Sequence, residues 1–323
     1  MFKRVLVGID TESHGCDAIA LARRLAPEAD ITLAHVCTGF PVVGEESDNE
    51  REVSQASAVL EAARLESGVV ADLSVIGAYR VGAGLHQLAH ELETDLVVIG
   101  STRTARLGRV LITRELAQSL GGLPAALAVA PFGYAGDEVP FGEIGVAYDR
   151  SPESAAALVF AADLARASGA HLVAFTAAPL PHGDMRHGVW DTFASAIRDR
   201  VASTCTQVRG DLEALGLDGG VEGPVTVVQS TCGEPVEELA QFSSAVDLIV
   251  VASRGYGPSG CLVYGATGGQ LTRYARAPLL MLPRATALTP GVAFQEAGTR
   301  RGRSGTGEFS SSSIVSTAAG RAR

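Results

Sequence analysis

The sequence predicts an α/β protein of two tandem doubly wound domains, each with a five-stranded parallel sheet. Three observations carry this prediction. Short apolar runs alternate with Ala-rich helical stretches, which is typical of βαβ units. The same order of segments occurs twice along the 323 residues. Only 5% of the residues are aromatic, so the core must be built from Ala, Val, Leu and Ile, as in parallel strands covered by helices.

The two repeats begin alike. Residues 3–10 and 143–149 are apolar runs that end on Asp10 and Asp149. Each is followed by a polar turn, an Ala-rich helical stretch and a second short apolar run. In the first repeat these segments are 14–26 and 31–37, and in the second they are 152–168 and 171–176.

The repeats also end alike. Asp95-Leu-Val-Val-Ile-Gly-Ser101 parallels Asp247-Leu-Ile-Val-Val-Ala-Ser253. Both lead into a loop, a helix and a last strand, at 125–130 and 278–282. The offset between repeats grows from 139 (149 − 10) to 152 (247 − 95), so the second repeat has 13 extra residues. We expect them around a longer second helix at 189–215.

These boundaries predict three segments. The first domain spans 1–132 and the second spans 142–284, with a Gly- and Pro-containing linker at 131–142. Residues 285–323 are rich in Gly, Ser, Thr, Ala and Arg and have few large apolar side chains. Such a composition cannot offset the entropy of ordering, so we expect a disordered tail.

Composition excludes several classes of protein. The net charge is −10, which disfavours nucleic-acid binding through neutralised phosphates. No apolar run reaches the length of a membrane span, and the N-terminus reads as a strand and not as a signal peptide. The five cysteines are scattered, so we expect neither a disulfide framework nor a zinc site. A cytoplasmic location follows as the default expectation.

A Gly-containing loop follows the fourth strand of the second domain. Ala252-Ser-Arg-Gly255 is followed by nine residues and then by Gly265-Ala266-Thr267, where a helix is expected to begin. Glycines let the backbone approach a phosphate closely, and a helix N-terminus supplies N–H donors. In doubly wound sheets, ligands bind beyond the carboxyl ends of the strands. The loop is therefore a candidate phosphate site.

Many segments in order resemble the universal stress protein family. They are 5–10, 98–101, 146–154, Gly233-Glu-Pro235, 247–255 and 277–282. The resemblance covers about residues 1 to 284 and implies the fold of the adenine nucleotide alpha hydrolases. It also implies a stress-response protein that binds an adenine nucleotide such as ATP or AMP.

The family's ATP signature is Gly-x-x-Gly, nine residues, then Gly and Ser or Thr, together with an Asp after strand 1. In the second domain it falls on the set Asp149, Ala252, Gly255, Gly265 and Ala266, with Thr267 adjacent. Ala252 replaces a Gly, and Ala266 replaces the hydroxyl residue that would bind a phosphate. In the first domain the loop positions are Gly100, Arg103, Thr113 and Arg114. Only Gly100 fits, so the first domain is expected to be degenerate.

Other interpretations stay open. Asp10 and Asp149 are also suited to capping a helix, and the glycines to a flexible loop. The arginines of the first domain's loop (Arg103, Arg106, Arg109 and Arg114) are suited either to an anion or to solvent. No catalytic or metal-ligand constellation is visible. Three functions are therefore considered: a nucleotide-binding module with little or no catalysis, a nucleotide-free scaffold or adaptor, and a slow ATPase.

The last strand of each domain predicts an assembly. Single-domain members of the family commonly pair through it, and an apolar edge strand needs a partner. The strands at 125–130 and 278–282 could pair within one chain or between two chains of a homodimer, and the sequence leaves both open.

Overall fold

The computed structural model describes residues 1–10, 12–38, 46–102, 104–136, 140–178, 190–217, 226–253, 262, 266–283 and 315–316. The first domain contains β1 (Arg4–Gly8), α1 (Glu12–Leu25), β2 (Asp30–Cys37), α2 (Glu46–Ser67), β3 (Asp72–Gly77), α3 (Val81–Glu91), β4 (Leu96–Gly100), α4 (Arg114–Ser119) and β5 (Ala126–Ala130). The second contains β6 (Glu143–Ala147), α5 (Pro152–Ser168), β7 (His171–Ala178), α6 (Trp190–Ala214), β8 (Thr226–Cys232), α7 (Pro235–Phe242), β9 (Leu248–Ala252), α8 (Ala266–Tyr274) and β10 (Leu279–Leu282). A two-residue strand, β11 (Val315–Ser316), follows.

One continuous sheet runs through both domains. Its order is β11-β3-β2-β1-β4-β5-β10-β9-β6-β7-β8. Within each domain all the strand pairs are parallel, which confirms the predicted α/β doubly wound architecture. The order reverses between β1 and β4 in the first domain, and between β6 and β9 in the second. These two points are the switch points of the fold.

Helices cover both faces of this sheet. Side chains of α1, α2, α5 and α6 pack in one hydrophobic cluster, and those of α3, α4, α7 and α8 pack in a second one on the opposite face. Each cluster contains residues of both domains, so the core is continuous along the chain. The Ala, Val, Leu and Ile of β1, β4, β5 and β10 are buried on both faces of the sheet, as the low aromatic content predicts.

The predicted elements match the observed ones closely where local signals are strong. Helix α5 spans 152–168 as expected because Ser151 caps it, with its side chain accepting from the Ser154 N–H, and Pro152 occupies the first turn. Gly169 ends the helix in the left-handed region at φ 71°, which glycine adopts without a steric penalty. Helix α6 has 25 residues against 22 for α2, so helix length accounts for only a few of the 13 extra residues.

Each domain fastens the start of its first strand with an aspartate. The Asp95 carboxylate accepts from the backbone N–H groups of Lys3 at 2.8 Å and Arg4 at 3.1 Å. In the second domain, Asp247 Oδ2 accepts from those of Gly142 at 2.7 Å and Glu143 at 3.0 Å. Both aspartates therefore hold the beginning of a central strand to its neighbour, which explains why the repeats share them.

The domains meet through their last strands. Strand β10 pairs antiparallel with β5, with Leu279 opposite Val129, Leu280 opposite Ala128 and Met281 opposite Leu127. All these side chains are buried. The edge strands expected at 125–130 and 278–282 are therefore joined to each other within one chain. Pairing between two chains is not required to cover them.

A reciprocal pair of backbone hydrogen bonds flanks this junction. The Val110 N–H donates to the Ala275 carbonyl at 2.9 Å, and the Leu262 N–H donates to the Leu123 carbonyl at 2.8 Å. Both members are related by the same offset, since 262 − 110 and 275 − 123 are each 152. In each domain, the loop before the last helix thus donates a hydrogen bond to the segment that follows the last helix of the other domain. We call this pair of bonds the clasp. The two domains are related by an approximate two-fold axis.

The start of the linker is anchored to α1. Asp17, which is only 4% exposed, accepts from the N–H groups of Gly133 and Ala135, both at 2.7 Å. The Arg24 guanidinium lies over the rings of Tyr134 and Phe141, 5.3 and 4.1 Å from their centroids. The chain is therefore held against the first domain on both sides of residues 137–139, which are not described.

Two further expectations concern the tail and the membrane. Val315 and Ser316 pair antiparallel with Val75 and Ser74 at the β3 edge; the remainder of 285–323 lies outside the described residues, and its disorder stays a prediction. Within the part of the chain that is described, no helix combines the length and apolar character needed to cross a membrane.

The strand-fastening aspartates predict a stability difference. Asp247→Ala removes two charge-assisted hydrogen bonds to backbone N–H groups and should lower the free energy of unfolding by about 1 to 2 kcal/mol. Urea denaturation at neutral pH measures it. The matched control is Asp163→Ala, which removes only an exposed ion pair within α5 and should change stability by less than about 0.5 kcal/mol. Equal effects of the two substitutions would contradict the assigned role.

Candidate functional site

Two of the predicted positions, Asp149 and Ala252, lie at the switch point of the second domain. Strands β6 and β9 are adjacent and parallel, with Val146 opposite Val250. Asp149 lies just beyond the carboxyl end of β6, and Ala252 is the last residue of β9. Helix α8 begins at Ala266. The crevice at this edge of the sheet is where doubly wound folds bind ligands.

Asp149 is exposed, and its carboxylate is held by the next turn. Its Oδ1 accepts from the Ser151 backbone N–H at 3.1 Å and from the Ser151 hydroxyl at 2.5 Å. The cap of α5 is Ser151 itself. Asp149 therefore supports the capping residue and is not the cap. Its backbone N–H donates to the Ser154 hydroxyl at 3.3 Å, which fixes the loop further.

A polar network beside Asp149 was not predicted from the sequence. Arg150 pairs with Asp211 of α6 through two hydrogen bonds, from Nε at 2.7 Å and Nη2 at 3.1 Å. Its Nη1 donates to Gln207 at 2.8 Å, and the buried Tyr148 hydroxyl donates to Asp211 at 3.1 Å. The network ties the loop after β6 to α6, so it fixes the backbone on both sides of Asp149.

Arg150 adopts an unusual backbone conformation within this network. Its φ is 66°, in the left-handed region that costs a residue with a Cβ roughly 1 to 2 kcal/mol. The bidentate pairing with Asp211 offsets part of this cost. Asp211, the partner of Arg150, lies 61 positions away in α6. The sequence around Arg150 therefore contains no signal that predicts this pairing.

The network shifts the pKa values of its members. The hydrogen bond from Arg150 holds the pKa of Asp211 below its ordinary value, against the opposing effect of partial burial. Burial, together with the adjacent Asp211 carboxylate, raises the pKa of Tyr148 to about 12. At neutral pH, Asp211 is therefore ionised and Tyr148 is a neutral hydrogen-bond donor.

The loop between β9 and α8 is only partly described. The Ser253 N–H donates to the Leu282 carbonyl at 2.8 Å, and Ser253 is buried. Thr267 lies half-buried in the first turn of α8. The predicted positions Gly255 and Gly265 lie outside the described residues, as does the side chain of Ala266. Their roles remain predictions.

In the first domain, hydrogen bonds to protein groups engage the corresponding loop. The Thr113 hydroxyl caps α4 by accepting from the Leu116 N–H at 3.2 Å. The Val110 N–H bonds to the second domain, as described above, and the Ile112 N–H bonds to the Thr272 carbonyl at 3.1 Å. Arg114 is the first residue of α4, and Arg103 lies outside the described residues. The Val110 and Ile112 N–H groups therefore hold the two domains together, and the Thr113 hydroxyl stabilises the start of α4.

A cleft of about 320 Å³ lies at the carboxyl end of β2, against α2. Its lining includes His35, Cys37 and Glu52. His35 Nδ1 lies 2.8 Å from the Ile9 carbonyl, and burial and the neighbouring Glu52 raise the pKa of the Cys37 thiol. The thiol is therefore protonated and a weak nucleophile at neutral pH. Over the described ranges, no group of three or more His, Cys, Asp or Glu could hold a metal ion.

The strand order and the two switch points define a tandem α/β protein with two doubly wound domains. The sequence model of the universal stress protein family matches residues 1–122 and 140–283. The chain belongs to the universal stress protein family, in a tandem two-domain form.

Solved structures agree with this fold. A universal stress protein from Archaeoglobus fulgidus is 14% identical, with a TM-score of 0.61 over 87% of this chain and 98% of its own. A functionally unknown protein from Pseudomonas aeruginosa is 15% identical, with a TM-score of 0.56 over 87% of this chain and 93% of its own. At this identity the likeness shows the fold alone. No curated protein gives a significant match.

The Asp211 network predicts a pH-dependent contribution to stability. Because the folded-state pKa of Asp211 is lowered, its contribution is present above the unfolded-state value, about 3.9, and is lost as pH falls through the folded-state value. Asp211→Asn should therefore destabilise the protein at pH 7, and its difference from wild type should shrink below about pH 4. Denaturant titrations across this range measure it, with Asp163→Asn as control. A difference that is constant with pH would contradict the network.

Proposed function

We propose that this universal stress protein binds one adenine nucleotide, of the ATP or AMP type, at the switch point of its second domain, with little or no catalysis. The observation that carries the proposal is the position of Asp149. It is presented beyond the carboxyl end of β6, exposed, and fixed by Ser151. The family resemblance assigns this residue to the adenosine end of the ligand. The predicted ligand positions are Asp149, Ala252, Gly255, Gly265, Ala266 and Thr267.

The departures from the family signature set the expected strength of binding. Ala266 cannot donate a hydroxyl hydrogen bond to a phosphate, but its backbone N–H remains at the start of α8. Loss of one hydrogen bond to a charged group costs roughly 1.5 to 3 kcal/mol, which weakens binding by about tenfold to a hundredfold. We therefore expect measurable but weakened affinity at the second domain.

A second candidate function is a nucleotide-free scaffold or adaptor. One observation favours it: in the first domain, Val110, Ile112 and Thr113 already bond to protein groups. A loop that is engaged in joining the domains has fewer donors for a phosphate. Leu262 in the second domain's loop makes the corresponding hydrogen bond to Leu123, so the same argument extends to that loop, and an adaptor of this kind would act through its surfaces alone.

The internal repeat supplies a matched control for the nucleotide proposal. Asp10 is the counterpart of Asp149 at the end of β1, and it is also exposed. Calorimetric titration with ATP, AMP and cyclic AMP should give about one site per chain. Asp149→Asn keeps an acceptor for Ser151 but removes the charge, and should weaken binding by at least about tenfold. Asp10→Asn should leave the affinity unchanged.

Three results would contradict the proposal in different ways. No heat and no thermal shift with any of the nucleotides would favour the adaptor. Two sites per chain, with one lost in Asp10→Asn, would show that the first domain also binds. Phosphate release above background that disappears in Asp149→Asn would establish a slow ATPase.

A further inference from the structure

A positively charged surface lies at the domain junction of this acidic chain. We call it the junction arginine patch. Arg106 and Arg109 come from the loop before α4 in the first domain, and Arg276 follows α8 in the second. Two exposed apolar side chains accompany them: Leu107 is 77% exposed and Tyr274 is 49% exposed.

Backbone contacts bring the arginines of the two domains together. The Arg109 N–H donates to the Arg106 carbonyl at 3.0 Å, and its guanidinium donates to the Tyr274 carbonyl at 3.3 Å. The clasp from Val110 to Ala275 lies between them. Arg276 is itself fixed, since its N–H donates to the Ser243 hydroxyl at 2.9 Å. The patch is therefore built on ordered backbone of both domains.

Within the part of the chain that the structure describes, no carboxylate forms an ion pair with Arg106, Arg109 or Arg276. Partial burial, and then the charges of Arg276 and Arg106, lower the pKa of Arg109. Three like charges thus lie near one another on a chain whose net charge is −10, and an anionic partner would relieve their repulsion.

The approximate two-fold axis shows that the fold does not need this patch. The two hydrogen bonds relate positions that are 152 residues apart in sequence. By this offset, the residues that correspond to Arg106, Arg109 and Arg276 are Pro258, Cys261 and Pro124, and those that correspond to Leu107 and Tyr274 are Ser259 and Gly122. Pro258, Ser259 and Cys261 lie outside the described residues. The hydrogen bond from Leu262 to Leu123 therefore forms in sequence that carries no Arg, Leu or Tyr at these five positions. Packing of the domains therefore does not account for the patch.

The composition of the patch fits a protein partner. Arg and Tyr are enriched at protein interfaces and dominate their binding energy. A site for a small anion is instead concave, with donors that converge, whereas Arg106 and Leu107 are exposed. We propose that the junction arginine patch docks an acidic segment of a partner protein, with carboxylates on the arginines and apolar side chains against Leu107 and against Tyr274. The proposal stands apart from nucleotide binding.

Fluorescence anisotropy with a short labelled peptide rich in Glu and Leu tests this surface in the full chain. Arg106→Ala/Arg276→Ala should weaken binding by at least about tenfold, because two charges that steer and hold the peptide are removed. The control is Arg64→Ala/Arg166→Ala, which removes two arginines that pair within their own helices, and it should bind like wild type. Thermal unfolding should show that both double variants are folded.

A second variant separates the apolar contact from charge. Leu107→Ser introduces the residue type found 152 positions later in the sequence, at Ser259, and should weaken peptide binding while leaving all the arginines in place. The Asp149→Asn variant should bind the peptide as wild type does. Equal peptide affinity of wild type and Arg106→Ala/Arg276→Ala would overturn the proposal. So would unchanged binding by Leu107→Ser, or a single-stranded DNA of equal charge that binds as tightly as the peptide.

Discussion

The antiparallel pairing of β5 with β10 is the constraint on which the rest of the molecule depends. Each domain alone would expose its last strand as an apolar edge, which invites association with other chains. Here the two edges satisfy each other, with Leu280 opposite Ala128 at the centre. The pairing turns two five-stranded sheets into one and fixes the approximate two-fold axis. It also places the loop before the last helix of each domain against the other domain.

Two loops at corresponding positions of the repeat, the one before α4 and the one before α8, contribute to this junction. In the first domain the loop keeps little of the family's phosphate signature. Its Ile112 N–H bonds to Thr272 of α8, and its Val110 N–H bonds to Ala275 directly after that helix. In the second domain the loop after Ala252 keeps more of that signature, while Leu262 bonds to the first domain. Both loops therefore help to join the domains. They differ in sequence, since the first carries the arginines of the junction patch and the second carries the glycines proposed for ligand binding.

Much of the fold was predictable because its signals are local or repeated. Alternating apolar runs and Ala-rich stretches gave the strands and helices, and Ser151 with Gly169 set the ends of α5. The paired aspartates at 95 and 247 marked the repeat, although their role in fastening strands emerged only from the structure. The choice between pairing within one chain and between two chains was not predictable. An apolar last strand can pair equally well with a strand of its own chain or with a strand of a second chain.

The site was predictable only in part, because its geometry depends on contacts distant in sequence. Asp149 was identified by its position after a strand, but the network of Tyr148, Arg150 and Asp211 joins residues about 60 positions apart. The residues next to Arg150 in sequence do not predict its left-handed backbone conformation. Likewise, the junction arginine patch draws on both domains and becomes visible as a cluster only when β5 and β10 are paired.

Hydrogen–deuterium exchange of the intact chain tests the central claim, the continuous sheet, most directly. If β5 and β10 are interior strands, amides in 126–130 and 279–282 should exchange as slowly as those in the central strands at 4–8 and 96–100. The reference for an edge is β8, at 226–232, which ends the sheet. Exchange of 126–130 and 279–282 as fast as that of β8 would show that the domains do not share a sheet, and would contradict the account.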